Sequence, residues 1–301
     1  TYQEYDADGA YAFFFGDYGE GDVQARQWDM VDREGRQAPG VYYWRMPEDD
    51  SLSLYPTAAT YTKQADFGYY ALIFTNERAS SSAYNADRYS RSAPLAFASR
   101  EECAARILEA LDALGYVPGA TVQTAYALDA PALRREEEAF IESFGTEDVE
   151  SQLKADWDTQ DEAYVFYLWQ ECQGLPVWTA PLEPYSGLME ESEAPMQAIL
   201  RRDGFVYFRV TDVLDLRIAE EYSALLPLGD IIQGVIRKYS NLISEQRIVV
   251  TDMRLCALTS KDGLGGCSLI PVWICTYEVE DDYAVGQMVF DAVTGYEIYA
   301  N

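Results

Sequence analysis

The sequence predicts an α+β protein built from two units, each a helix packed on a curled antiparallel sheet, preceded by a β-rich N-terminal segment. Three observations carry that prediction. The last quarter of the chain, Pro227–Asn301, pairs one amphipathic helical stripe with several strand-like runs. The same order recurs more loosely between Phe97 and Val213. The stretch before it is dense in Tyr, Gly and Asp, with short apolar runs between glycine turns. The expected divisions are therefore 1–96, 97–213 with an acidic insertion, and 214–301, the last including a connector.

In the C-terminal unit, Leu228, Ile231, Ile232, Val235, Ile236, Tyr239 and Leu242 fall at spacings of three and four and form one apolar stripe. Pro227 stands just ahead of them, where a missing N–H costs nothing. Asp230 suits the first turn and Arg237 and Lys238 the last, as the helix dipole prefers. Gly234 is a mild penalty inside the helix. Arg247–Leu258 and Cys267–Glu280 have strand composition, separated by the Gly-rich turn Lys261–Gly266. Pro271 places the second run at a sheet edge or at a bulge. Asp281-Asp282 marks a further turn. Gln287–Phe290 and Tyr296–Tyr299 then make a hairpin across Thr294-Gly295, where glycine tolerates positive φ.

The order helix, strand, strand and then Asp-x-x-Thr-Gly before a last strand resembles the PepSY domain and PepSY-like domains. The runs that carry the likeness are Leu269-Ile-Pro-Val-Trp273 and Phe290-Asp-Ala-Val-Thr-Gly-Tyr-Glu-Ile298. Tandem copies occur in YycI-type regulatory proteins and in surface lipoproteins of Gram-positive bacteria. The resemblance covers Pro227–Asn301, weakens over Phe97–Val213 and is absent before that. It implies a scaffold rather than a chemistry, because its motifs are structural. PepSY-like domains are associated with restraint of peptidases, and the YycI type with control of a membrane sensor kinase.

The first unit opens with a capping box, Ser99-Arg-Glu-Glu102, behind Phe97. Ala104, Ile107, Leu108, Leu111 and Leu114 form its stripe, and Gly115 is a good residue just past the helix end. Pro118-Gly119 leads into a strand over Ala120–Leu128. Pro131–Asp161 reads as an insertion, helical over Ala132–Ser143, with Arg134, Arg135 and Glu136–Glu138 on a solvated face. Glu162–Glu171 resumes the sheet, and Gly174-Leu-Pro-Val-Trp178 parallels Leu269–Trp273. Pro181–Ala194 is irregular and acidic. Arg202-Asp203-Gly204 turns a hairpin between Met196–Leu200 and Phe205–Val210. Val213–Leu226 connects the two units as a partly helical stretch.

Within 1–96, Tyr11–Phe15, Val41–Trp44 and Tyr69–Phe74 read as strands, separated by turns at Gly16–Gly21, Glu34-Gly35 and Phe67-Gly68. Ala79–Ser92 reads as a loop or linker. Asp6-Ala-Asp8-Gly9 has part of a calcium-loop pattern but lacks the further acidic ligand positions, so a turn explains it.

Composition narrows the function. The chain has 301 residues, 49% hydrophobic and 14% aromatic, enough for a substantial core. Its formal charge is −29, which repels nucleic acid and anionic headgroups. Histidine is absent and the five cysteines form no C-x-x-C pair, which argues against zinc and haem sites. Cys256, Cys267 and Cys275 fall on neighbouring expected strands, so a disulfide among them and small buried thiols are both open readings. Without histidine the usual Ser-His-Asp and Cys-His activation is unavailable. Gly263-Leu-Gly265-Gly266 precedes a strand and is no phosphate cradle. No apolar run spans a bilayer, and a chain starting at Thr1 suits a processed or trimmed form of an exported protein.

No catalytic, cofactor-binding or metal-ligating residue is therefore assigned, and no cofactor is expected. The expectation is a non-enzymatic extracytoplasmic module, lipid-anchored at the cell surface through a lost N-terminal anchor, that binds or regulates another extracytoplasmic protein or peptide. A second reading is a carbohydrate- or cell-wall-binding protein that uses exposed Tyr and Trp, such as those of Tyr42-Tyr43-Trp44 or Tyr69-Tyr70. The same clusters would equally suit core packing. A third reading is an acid-type glycoside hydrolase, which needs only two carboxyl groups.

Overall fold

Ser99 starts one of the best-signalled helices. Its hydroxyl accepts from the Glu102 backbone N–H (3.1 Å), and the Glu102 carboxylate accepts from the Ser99 N–H (2.7 Å). This closes the expected capping box, and helix α3 runs Arg100–Ala113. Gly115 follows at φ +74°, the left-handed conformation that glycine adopts without penalty.

The computed structural model describes residues 5–16, 18, 22–31, 37–46, 50–55, 57–74, 88–116, 120–146, 153–178, 194–211, 213–216, 224–240, 247–261, 267–279 and 285–300. The expected turns at Glu34-Gly35 and Asp281-Asp282, most of the turn Lys261–Gly266, the loop over 79–87, most of Pro181–Ala194 and stripe residue Leu242 lie outside the described residues. So does most of Gly16–Gly21.

Strands predominate among the described residues. In chain order the elements are α1 (Ala7–Phe15), β1 (Gln24–Val31), β2 (Gln37–Arg45), β3 (Ser51–Tyr55), β4 (Ala58–Thr62), α2 (Gln64–Phe74), α3, β5 (Ala120–Leu128) and α4 (Ala130–Phe144). They continue with β6 (Ala163–Cys172), β7 (Leu175–Trp178), β8 (Met196–Arg201), β9 (Gly204–Thr211), α5 (Leu228–Ser240), β10 (Ile248–Lys261), β11 (Cys267–Val279), β12 (Val285–Asp291) and β13 (Glu297–Ala300). Two compact units result. The larger draws on Tyr2–Leu168 and Ala194–Asp215, the smaller on Trp169–Glu193 and Leu216–Asn301.

In the larger unit the strands are hydrogen-bonded in the order β1-β2-β3-β4-β9-β8-β6, with β5 also on β6. One face carries the main core. Leu52, Leu54, Tyr164, Phe166, Ala198 and Phe208 from the strands meet Ile107, Ala110 and Leu111 of α3 and Ala10 and Phe15 of α1. Helix α2 lies on the other face, where Phe67 stacks on Tyr207 at 4.6 Å. With both faces covered, Ala163–Leu168 of β6 are buried without alternation. In the smaller unit β10, β11, β12 and β13 form an antiparallel run, and β7 joins β10 in parallel through Ala257↔Val177 and Leu258↔Trp178.

This overturns the expectation of two PepSY-like helix-on-sheet units behind a β-rich segment. Thirteen strands of mixed direction stand against five short helices among the described residues. The stretch 97–213 is no self-contained copy, because β9 pairs with β4 over Ala58↔Thr211 to Thr62↔Tyr207. Strands of the 1–96 segment thus complete the sheet on which α3 packs. The run Gly174–Trp178 does not repeat Leu269–Trp273 either. Β-strand β7 is a short parallel neighbour of β10, whereas Leu269–Trp273 lies inside the long antiparallel strand β11.

Two expected strands are helices. Tyr11–Phe15 belongs to α1, which starts where Asp6 accepts from Gly9 N–H at 3.0 Å, so Asp6-Ala-Asp8-Gly9 is a helix cap. Aromatic β-propensity yields to burial here. Phe14 stacks on Tyr61 at 4.7 Å, and Tyr11 meets Trp44 at 5.8 Å. Tyr69–Phe74 lies in α2, so Phe67-Gly68 is no turn. The hairpin at 202–204 forms as expected, with Arg201↔Gly204 closing it. Pro271 is at neither an edge nor a bulge. Strand β11 is paired on both sides, but its ladder with β12 begins at Val272↔Asp291. The Pro271 carbonyl accepts from Ala292 N–H (2.9 Å), so its missing N–H faces the point where β12 turns away.

Candidate functional site

Helix α5 lies across β11 and β12. Ile231 (1% exposed) and Val235 (7%) pack with Cys275, Met288 and Phe290, as the stripe requires. The helix is fixed at both ends. Leu226, just ahead of it, donates its N–H to the Ala292 carbonyl (2.7 Å), and Lys238 pairs with Glu297 of β13 (2.5 Å). The turn beneath is an Asx turn in which Asp291 Oδ1 accepts from Val293 and Thr294 N–H groups, with Gly295 at φ +73°.

The stripe is wider than the sheet covers. Ile232 (37% exposed) and Ile236 (49%) project past the buried row, toward β10. Together with Val235 and the β10 stretch Val250–Met253 they line an open apolar groove of about 320 Å³. That volume stands at the low end for ligand pockets and suits one or two side chains rather than a cofactor. Val250 is itself 36% exposed. Thr251 sits at a β-bulge, where the β10–β11 register shifts between Val250 and Asp252. Asp252 pairs with Arg254 on the strand. The periodicity that located the helix gave no sign that one flank of the stripe would be left open.

The buried and half-buried carboxylates Asp66, Asp161 and Asp203 are held in ion pairs. In the larger unit Arg201, largely buried, binds Asp203 (2.7 Å) and Asp66 (2.9 Å) and approaches Asp161 (3.9 Å). Lys63 binds Asp66 (3.0 Å) and Asp203 (2.8 Å), and Lys154 binds Asp161 (2.8 Å). The Tyr70 hydroxyl donates to the Asp161 carbonyl at 2.5 Å. Hydrogen bonding from Arg201, opposed by burial and helped by Lys63, holds the Asp203 carboxyl well below the usual range. A general acid needs the opposite shift.

The run Arg134–Glu138 is not simply a solvated face, which corrects the sequence reading. Glu136 and Glu137 are buried. Glu137 accepts from the N–H groups of Lys154 (2.6 Å) and Ala155 (2.9 Å) and from Trp157 Nε1 (2.9 Å), and Arg134 Nε donates to the Trp157 carbonyl (2.8 Å). These side chains replace the backbone partners that a loop cannot supply to itself.

Cys103, Cys172, Cys256 and Cys275 are free thiols. The Cys267 side chain lies outside the described residues. Burial pushes Cys103 and Cys275 up to about 11 and Cys256 up to about 12, which leaves little thiolate for nucleophilic work. Of the aromatic clusters, Trp44 and Tyr70 are buried, Tyr42 stacks on Trp44 (5.7 Å), and Tyr69 meets Trp157 edge-on (6.4 Å). Trp28 is half exposed, with Tyr43 tilted beside it at 6.3 Å. Among the described residues no group of three His, Cys, Asp or Glu is placed to hold a metal ion, and no helix is long and apolar enough to cross a membrane.

No protein-family model and no curated protein matches the chain. Solved structures do. An uncharacterized protein from Eubacterium rectale is 18% identical over 91% of this chain and 75% of its own, with a TM-score of 0.62. The C-terminal domain of Bacillus megaterium YpeB aligns over 99% of this chain and 98% of its own at 10% identity, with a TM-score of 0.37, a weak structural likeness. At these identities the likeness extends to the fold alone, and the chain shares that fold with the Eubacterium rectale protein.

Proposed function

We propose that the chain is a non-catalytic binding module, and that it holds an apolar, positively charged segment of another protein in the groove between α5 and β10. The observation that carries this is the exposed flank of α5. Ile232 and Ile236 are left out of the core of a chain whose formal charge is −29. Isolated exposed aliphatics are ordinary, but here they share one concave surface with Val250 and Met253. The overall charge selects a basic partner and speeds its approach. A PepSY-like character of Pro227–Asn301 would fit such a role, as would an extracytoplasmic site of action in which the partner is a peptidase or a sensor. Three features support a non-catalytic reading: the absence of histidine, the ion-paired carboxylates around Arg201 and the buried thiols of Cys103, Cys256 and Cys275.

Fluorescence anisotropy with labelled heptapeptides tests the reading. Peptides of alternating lysine and valine should bind, and their glutamate–valine counterparts should not. Ile236→Lys should weaken binding at least tenfold, the loss expected for about 1.4 kcal/mol. Equal binding by the variant, or no binding by any peptide, overturns the proposal.

A further inference from the structure

We infer that the segment held in this groove is an extended strand that adds to the open edge of β10. This rests on the binding role proposed above and specifies how the partner is held. Strand β10 is long, yet only its far end has neighbours on both sides. β11 pairs with it along its whole length, whereas β7 reaches only Ala257 and Leu258. From Ile248 to Arg254, no described strand is paired on the other side, since β7 begins at Leu175, opposite Leu255 in this register.

The direction of the backbone groups follows from Pro271. Its carbonyl points to Ala292, away from β10, so Ala257↔Pro271 is a non-hydrogen-bonded pair. Alternation then turns the N–H and C=O groups of Leu255 and Met253 outward as well, to the open side. No described strand pairs with β10 at Met253, and an unpaired edge of this kind is a template for another strand.

The α5 flank supplies the second half of the site. Met253 packs in the cluster under α5, and Ile232 and Ile236 stand beside it. A strand laid along the open stretch around Met253 would turn every second side chain toward those isoleucines. Its intervening side chains would face away. Backbone bonds would supply affinity and alternate side chains specificity, so the recognised pattern is apolar at every second position. Basic residues belong between them. Asp252 is at the groove, and its pair with Arg254 is exposed and cheaply exchanged.

A second copy of the chain is a poorer occupant. Two chains at −29 repel each other, and the bulge at Thr251 interrupts the flat edge that sheet-to-sheet pairing needs.

The test compares the lysine–valine heptapeptide with two analogues that carry backbone N-methyl groups at alternate residues, one on each set of amides. Strand addition uses only one set. One analogue should therefore lose at least tenfold in affinity while the other binds like the parent, and Ile236→Lys should weaken parent and tolerated analogue alike. If both analogues bind like the parent while Ile236→Lys still weakens binding, strand addition is wrong and the groove reading stands. If Ile236→Lys changes nothing, the groove reading itself fails. Sedimentation showing a dimer that Ile236→Lys dissociates, with no peptide bound by the monomer, overturns the peptide occupant in favour of a second copy.

Discussion

The two units solve the same problem with opposite means. The larger covers both faces of its sheet and then tolerates charge inside. Arg201, Lys63 and Lys154 meet Asp66, Asp161 and Asp203 in one connected network. The smaller has a compact apolar cluster under α5 and leaves part of the same helix bare. Buried ion pairs seldom add net stability, but a broken one is severely destabilising. A thin apolar core has no such threshold and loses stability in proportion to what is removed. The difference suggests that rigidity is concentrated in the larger unit and contact surface in the smaller.

The largest expected effect is in the network. Arg201→Met leaves Lys63 as the one remaining partner for Asp66 and Asp203 and sets an apolar side chain among these charges, which should cost about 3–5 kcal/mol, read as a shift of the urea transition. A loss under about 1 kcal/mol would mean that water enters the cluster and the contrast between units is weaker than drawn. Ile231→Ala removes a fully buried side chain from the smaller core and should cost about 2–4 kcal/mol.

Acid should separate the units next. The Asp203 carboxyl is held below its ordinary range by the Arg201 hydrogen bond, which outweighs burial. Its stabilising contribution is therefore complete above the unfolded value of about 4 and is lost as pH falls through the lower folded one. Urea titrations between about pH 5 and 2 should show the loss in wild type, and a shallower slope in Arg201→Met, where only Lys63 still donates to it. The smallest effect is at the groove. Ile236→Lys should leave stability within about 0.5 kcal/mol of wild type, because the side chain is half exposed. A larger loss would mean that Ile236 belongs to the core.

Local signals in the sequence were sufficient where the chain acts on itself over a few residues. Ser99 and Glu102 fixed the start of α3, the isoleucine stripe located α5, and Arg202-Asp203-Gly204 and Thr294-Gly295 gave their turns. Reading failed where distant residues decide. Tyr11–Phe15 and Tyr69–Phe74 are aromatic on most sides, so no period distinguishes helix from strand until Tyr61 and Tyr207 come into contact with the two helices. The β4–β9 pairing joins segments far apart in the chain and has no local mark. The charges of Glu136 and Glu137 looked solvated because nothing nearby in sequence announced Arg88, which pairs with the first, or the Lys154–Trp157 loop, which covers the second. The groove was half legible. The stripe named Ile232 and Ile236, but only the width of the sheet shows that they are uncovered.

The shielding of the thiols gives the molecule internal clocks. Cys103 sits in α3 of the larger unit, and Cys256 and Cys275 sit in β10 and β11 of the smaller. A reagent that attacks only thiolate must wait for each to come out of its packing. The order in which the three acquire a mass tag under native conditions is then a record of which half of the protein opens first.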